Sequence, residues 1–214
     1  VSTLIALKNE SGEYRVVFEK RSAKTAAHSE LYHVIPAAMF QPLLKNPGRE
    51  SELVNPAQEW SWHNNVLREY GEELFDEKTG LKGELGPRAA ALKLALESGN
   101  GGCELLVTGI IVNVLNYRPE ICTLLMVNDV NWWKDQIAEL RPNWEYKVRE
   151  EHPTTTRRVL TTFGLDTVES DFEQRFGATP EMWVPPGLAA FWLGVDAARM
   201  RLNMEARSRF SDPC

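Results

Sequence analysis

The residues best able to do chemistry are four acidic side chains crowded into one short segment: Glu69, Glu72, Glu73 and Asp76. At about 100° per residue, these four fall within one narrow face of a helix. The opposite face of that helix is apolar and consists of Val66, Leu67, Tyr70 and Leu74. Like charges three and four residues apart repel each other by a few tenths of a kcal/mol per pair. The crowding favours a bound cation, since carboxylate oxygens are the ligands that Mg²⁺ and Mn²⁺ prefer.

A divalent cation on this face would support the hydrolysis of a phosphate compound. The ion would neutralise phosphate charge and orient or deprotonate a water for attack. The alternative is a solvated acidic face, which is the more common role of a Glu-rich helix. Two residues favour the metal site. Gly71 weakens the helix interior and therefore predicts the close approach of another group, and Arg68 can hold a neighbouring carboxylate.

The elements before the acidic helix are short strands and a loop. Residues 2–7 and 14–19 are rich in β-forming residues and flank a polar turn with glycine, so they predict a hairpin. A third strand over residues 32–35 ends at Pro36. Residues 41–56 contain three prolines and one glycine, which predicts a long loop.

The acidic helix itself has recognisable start signals. Asn55 is the predicted N-cap, Pro56 takes the first helical position, and Gln58 is placed to complete a capping box. We expect this helix to run to Phe75.

The second half of the chain alternates between helix and strand signals. Segments 104–115 and 121–127 are rich in Val, Ile and Leu, and such continuous apolar runs predict strands covered on both faces. Helices are predicted over residues 88–97, 133–140 and about 187–207, and residues 157–163 are predicted as a strand or an extended segment. The fold class is therefore α/β, in a single domain spanning residues 1–214 with a C-terminal helical extension at about 185–210.

Composition excludes several classes of protein. The chain has 214 residues, is 43% hydrophobic and carries a formal charge of −6, so this segment is not expected to bind nucleic acid directly. Its apolar runs are too short for a membrane span. Three widely spaced cysteines without a CxxC pair predict neither a disulfide framework nor a zinc site. We expect a cytoplasmic protein.

The segment from Arg68 to Glu73 resembles the centre of the Nudix box, which reads R-E-hydrophobic-x-E-E. The order of hairpin, strand ending in proline, loop and acidic helix is also similar to that family. The resemblance implies an α/β/α sandwich around a mixed β-sheet, here with extra helices. It also implies that Glu69, Glu72 and Glu73 bind Mg²⁺ or Mn²⁺, and that Glu69, Glu72 and Arg68 are catalytic. The implied activity is metal-dependent hydrolysis of a nucleoside diphosphate linked to another moiety.

Candidate contacts to a nucleotide-like substrate lie near the predicted loop and near the second hairpin. Tyr32, Phe40 and Gln41 come just before the loop that should face the metal. Trp132 could stack on a nucleobase at the rim of a pocket, although tryptophan at such a position is more often packed in a core.

A second hypothesis is a Nudix-like domain that senses a nucleotide with little or no hydrolysis. Counting back from Arg68, the glycine of the box would fall at Val54 and its loop glutamate at Trp60, and these positions favour sensing. Residues 33–42 together with 67–73 look like Nudix-like domains of bacterial regulatory proteins, some of which carry an upstream helix-turn-helix. The partners implied are an upstream regulatory domain or a second copy in a homodimer. A third alternative is an interaction domain with a vestigial site.

Overall fold

A computed structural model describes most of the chain. The described residues are 1–25, 27–39, 60–78, 84–114, 117–137, 140–147, 149–152, 155–177 and 179–204. The predicted loop at 41–56, the predicted cap at Asn55, and the candidate contacts Phe40 and Gln41 lie outside these residues.

A seven-stranded mixed sheet forms the centre of the molecule. Its main path has the order β3-β2-β1-β5-β4, and β6 and β9 also pair with β2. Strand β1 runs parallel to β5, with Ser2 opposite Cys122, and antiparallel to β2. The strands of this sheet are β1 (Ser2–Lys8), β2 (Tyr14–Arg21), β3 (Tyr32–Val34), β4 (Cys103–Asn113), β5 (Arg118–Val127), β6 (Tyr146–Lys147) and β9 (Thr161–Gly164). Strands β7 (Arg149–His152) and β8 (Thr155–Val159) form a separate pair.

Helices connect and cover these strands. They are α1 (Trp62–Phe75), α2 (Pro87–Glu97), α3 (Val130–Ile137), α4 (Val168–Phe176) and α5 (Pro185–Arg201), together with a 3₁₀ turn at Pro180–Met182. The predicted end of the acidic helix at Phe75 is confirmed. Its predicted start is wrong, because Ser61 is the N-cap and its Oγ accepts a hydrogen bond from the Asn64 N–H. Helix α3 begins before residue 133, and α5 ends at Arg201 rather than near 207.

One face of the sheet, here called the α5 face, carries an aromatic core. Helices α4 and α5 supply Phe176 and Phe191, which surround Phe18 of β2 together with Tyr32, Phe163 and Trp183. Phe18 is fully buried and has five aromatic neighbours with ring centroids 4.6–6.0 Å away. Such ring pairs add to the stabilisation that burial of their area already gives.

The other face, here called the α1 face, carries a smaller and more aliphatic core. Leu67, Tyr70 and Leu74 of α1 pack on Ile5 and Leu125 of the sheet. Helix α2 adds Leu92 to the same cluster. Because helices cover both faces, the predicted α/β class is confirmed.

The prediction that both strands of the second hairpin are covered on both faces holds for β5 and is wrong for β4. Residues 122–127 of β5 are buried, whereas Val107, Ile110 and Val112 of β4 are exposed. The reason is position, since β4 is the last strand on the sheet path and has a neighbouring strand on one side among the described residues. Among those residues, no helix is long and apolar enough to cross a membrane.

Candidate functional site

Helix α1 carries the predicted site, and its end is tightly tied to α2. Glu77 lies just after α1, and its carboxylate accepts hydrogen bonds from the backbone N–H groups of Arg88 (2.7 Å) and Ala89 (3.3 Å) at the start of α2. A Cβ on Gly71 would lie 2.6 Å from Glu77 Oε2 and 3.2 Å from the Ala89 Cβ. The close approach predicted from Gly71 is therefore present, and the approaching group is the cap of the next helix.

Glu73 is a buried residue rather than an open ligand. It is 2% exposed, and its Oε2 accepts hydrogen bonds from the backbone N–H of Ala37 (2.7 Å) and the Tyr146 hydroxyl (3.2 Å). Burial first, and then the nearby charge of Glu69, raise the pKa of Glu73 well above its usual range. The side chain thus ties α1 to the end of β3 and to β6.

The docking of the β3 end explains why Ala37 is available to Glu73. The Thr3 N–H donates to the carbonyl of Pro36 (2.9 Å), and the Ala38 N–H donates to the carbonyl of Val1 (2.9 Å). These bonds hold the segment after β3 against β1, so the Ala37 N–H between them points to α1 and needs an acceptor there. The Glu73 carboxylate supplies that acceptor.

Glu69 is paired with the neighbouring arginine, as the sequence predicts for Arg68. Arg68 Nη2 lies 3.1 Å from Glu69 Oε1, and the two side chains are 10% and 14% exposed. Burial raises the pKa of Glu69 to about 7, while Arg68 lowers it and Glu72 and Glu145 raise it further. The charge of Arg68 therefore compensates only part of the cost of burying this carboxylate.

Glu72 faces an open cavity of about 320 Å³. The cavity is lined by Glu72, Asp76, Glu77, Lys78, Asn143 and Trp144. Asp76 is not part of the helix face, because it is the C-cap residue in the left-handed region with φ 53°. The cavity therefore combines three carboxylates with one lysine and one largely exposed tryptophan, at 60% exposure.

Asn65 is a buried polar residue of α1 that the sequence alone does not single out. It is 4% exposed, and its Oδ1 has no hydrogen-bond partner among the described residues. Spacings of four and seven residues place it on the same helix face as Glu69 and Glu72. Side chains in a helix lean towards its N-terminus, so Glu69 leans over Asn65. The only sequence signal for Asn65 was this spacing.

The remaining candidates lie elsewhere. Tyr32 is 8% exposed in the aromatic core of the α5 face, and its hydroxyl accepts a hydrogen bond from Arg175 at 3.5 Å, so the structure does not bring it to α1. Trp132 packs against the core of the α1 face next to Tyr70 and is not part of the cavity lining.

The oxygen atoms of these side chains are suitable ligands for a hard divalent cation, but they do not converge on one point in this structure. Glu69, Glu72, Glu73 and the orphaned Oδ1 of Asn65 offer oxygen atoms alone, which Mg²⁺ prefers. In the part of the chain that the structure describes, no three His, Cys, Asp or Glu side chains converge as a metal site. Glu69 is engaged by Arg68, and Glu73 by two protein donors.

Comparison with known proteins finds no match to this chain. No protein-family model, curated protein or solved structure matches the chain. The resemblance to Nudix hydrolases therefore rests on residues 68–73 and on the order of the elements around them.

Proposed function

We propose that this chain is a Nudix-like, metal-dependent hydrolase of a nucleoside diphosphate linked to another moiety. The observation that carries the proposal is the crowding of Glu69, Glu72 and Glu73 on α1, with Glu145 close enough to affect two of them. Glu73 is buried and the other three carboxylates are partly buried, so their charges repel one another, and a divalent cation would remove that repulsion.

Glu69, Glu72 and the Oδ1 of Asn65 would hold Mg²⁺ or Mn²⁺, and Glu73 would join them on leaving Ala37 and Tyr146. When bound, such an ion supplies charge neutralisation for the diphosphate and a more acidic water. The chain itself positions the ligands, because Arg68 fixes the Glu69 carboxylate at 3.1 Å.

The cavity beside Glu72 suits a nucleotide in size and chemistry. Its volume of about 320 Å³ lies at the lower end of small-molecule sites. Lys78 brings a positive charge for a phosphate group, and the exposed ring of Trp144 offers a surface for stacking on a base. Trp144 thus takes the role that the sequence suggested for Trp132.

Hydrolysis can be tested directly with purified protein. Incubation with Mg²⁺ or Mn²⁺ and a panel of nucleoside diphosphate derivatives should release phosphate-containing products. Glu72→Gln should reduce turnover by at least about 10–100-fold, the loss that removal of a group supporting a metal ligand already causes. The matched control is Glu173→Gln on α4, where the side chain is exposed and the helix packs on the opposite face of the sheet. Absence of turnover with every substrate, or equal turnover in Glu72→Gln, would refute hydrolysis.

A second candidate function is nucleotide sensing with little or no hydrolysis. The observation that favours it is the state of Glu73, which is buried and already bound to the Ala37 N–H and the Tyr146 hydroxyl. A ligand that binds the folded state raises its melting temperature by mass action. Sensing therefore predicts a thermal shift with a nucleoside diphosphate derivative and no product, and a shift accompanied by product would contradict it.

A further inference from the structure

A second cavity, here called the arginine cavity, lies between the end of α1 and the start of α2. Its volume is about 310 Å³, and it is lined by Phe75, Glu77, Pro87, Arg88 and Arg141. Glu77 also lines the cavity beside Glu72, so the two cavities are neighbours. The nucleotide site proposed above uses only the cavity beside Glu72, and the arginine cavity is therefore space next to that site with no role yet.

Segment 141–144 holds the two cavities side by side. The Arg141 N–H donates to the carbonyl of Leu74 (2.8 Å), and the Asn143 N–H donates to the carbonyl of Glu73 (3.0 Å), so the segment is bonded to the last turn of α1. Arg141 lines the arginine cavity, whereas Asn143 lines the cavity beside Glu72. Two residues along a chain span at most about 7 Å. One ligand can therefore reach from one cavity into the other.

The two cavities differ in charge. Three carboxylates and one lysine line the cavity beside Glu72, whereas two arginines and one carboxylate line the arginine cavity. That single carboxylate, Glu77, already accepts hydrogen bonds from the backbone N–H groups of Arg88 and Ala89. The arginine cavity is thus a local excess of positive charge in a chain whose formal charge is −6. A cleft lined in this way attracts anions.

The side chain of Arg141 is available to a ligand. It is exposed, and no acid among the described residues forms an ion pair with it. The bond from Arg141 to Leu74 uses the backbone N–H, which every residue except proline can supply. Replacing the Arg141 side chain therefore leaves this attachment of the segment to α1 in place. The second arginine, Arg88, is half-buried at the start of α2.

We propose that the arginine cavity binds a phosphate monoester group, carried by the moiety that is linked to the nucleoside diphosphate. A guanidinium presents paired N–H donors that match the oxygens of a phosphate. A phosphate monoester carries close to two negative charges at pH 7 and has three acceptor oxygens, enough for both arginines, whereas a carboxylate has only two. The link to the substrate rests on the function proposed above, but the phosphate site itself does not.

Calorimetric titration of the metal-free chain with inorganic phosphate, at constant ionic strength, tests the site without any turnover. Arg141→Gln and Arg88→Gln should each bind phosphate at least about 10-fold more weakly than the wild-type chain, because each loses a charged hydrogen bond. Arg201→Gln is the matched control, since it removes an arginine that is 56% exposed on α5, and its affinity should be unchanged. A wild-type chain that does not bind phosphate, or an affinity that either cavity replacement leaves unchanged, overturns the proposal.

A comparison of two substrates tests whether the phosphate belongs to the substrate. With Mg²⁺, kcat/KM should be at least about 10-fold higher for a nucleoside diphosphate sugar with a phosphate monoester on its sugar than for the same compound without it. Arg141→Gln should remove this preference, mainly through KM. Hydrolysis of both compounds without the preference, or with one that Arg141→Gln retains, refutes the link to the substrate and leaves hydrolysis intact. If neither compound is hydrolysed but phosphate binding depends on Arg141, hydrolysis is refuted and the phosphate site stands.

Discussion

The two faces of the sheet differ in how the charges of their buried side chains are compensated. On the α5 face, aromatic rings fill the core, and the buried Arg199 has a full ionic partner in Glu169, with Arg199 Nη2 2.7 Å from Glu169 Oε2. On the α1 face, Glu69 and Glu73 are buried with incomplete compensation. Glu19 alternates with Val17 along β2 and so belongs to the same face, where its carboxylate accepts hydrogen bonds from neutral donors among the described residues, including the Thr161 N–H.

The difference indicates which face buries charge without full compensation. Buried apolar groups favour folding at every pH, whereas a buried and weakly compensated carboxylate costs free energy whenever it is charged. Proteins keep such groups mainly where a ligand or a proton compensates for the cost. The α5 face is thus the half whose buried groups are apolar or paired, and the α1 face, which also has an apolar core, is the half that carries the proposed site.

The largest effect is expected from removing the centre of the aromatic core. Phe18→Ala should destabilise the protein by about 3–5 kcal/mol, because it leaves a cavity among five rings. The measurement is urea unfolding at pH 5 and pH 8, and the loss should be the same at both. Leu94→Ala, at a site that is 68% exposed, should change stability by less than about 0.5 kcal/mol. A loss at Phe18 that depends on pH would contradict the division between the faces.

A smaller effect on stability, whose size depends on pH, is expected from replacing Glu19. Burial raises the pKa of this carboxyl from 4.5 to about 7, while the Thr161 N–H and Arg175 lower it. Since the pKa is higher in the folded state, the stabilisation is fully present below pH 4.5 and is lost as the pH rises through about 7. Glu19→Gln keeps an acceptor for Thr161, and should therefore be more stable than the parent chain at pH 8 by about 1–3 kcal/mol.

The same urea experiment at pH 4 provides the internal comparison for Glu19. There the two chains should differ little, because the parent carboxyl is protonated. Glu97→Gln, in which the replaced side chain is 56% exposed, should show no such change between pH 4 and pH 8. Equal stability of Glu19→Gln and the parent chain at both pH values would show that this face tolerates the charge.

The smallest effect is expected at Asn65. Its buried Oδ1 has no partner among the described residues, and replacing such a group by an apolar one of similar size is neutral or stabilising. Asn65→Leu should therefore raise the stability of the ligand-free protein by about 1 kcal/mol. If Asn65 belongs to the metal site, the same variant should bind Mn²⁺ at least about 10-fold more weakly in calorimetry. Unchanged Mn²⁺ affinity would show that Asn65 is not a metal ligand. It would leave the proposed roles of Glu69 and Glu72 as ligands untouched.

Local features of the fold were predictable from the sequence, and features that depend on distant residues were not. The end of α1 and the close approach at Gly71 follow from neighbouring residues. The start of α1 was missed because Asn55 and Ser61 are both acceptable caps, and local signals do not choose between them. The burial of Glu73 depends on Tyr146, which is 73 residues away. The 3.6-residue period of a helix predicts the direction in which a side chain points. It does not predict which distant residues cover that side chain.

The exposed residues of β4 show the same limit of prediction from the sequence. An uninterrupted apolar run predicts a strand, and the strand is present. Whether that strand lies in the middle of the sheet or at its edge depends on how all the other strands are ordered, which no segment of this length encodes. Tyr32 is similar, since its place in the aromatic core is set by Phe176 and Trp183, far along the chain.

The Glu77 carboxylate has a consequence for which sequences can share this fold. It caps α2 through two backbone N–H groups, and it occupies the space into which a side chain would project from either Gly71 or Gly86. The three positions should therefore vary together in related chains: both glycines persist wherever an acid of this length stands at position 77. Where that acid is replaced by a shorter residue, the clash with the carboxylate is lost at both positions and α2 must take its cap from another group. Glycine should still persist at position 86, because a Cβ there would lie 2.9 Å from the Cβ of residue 77.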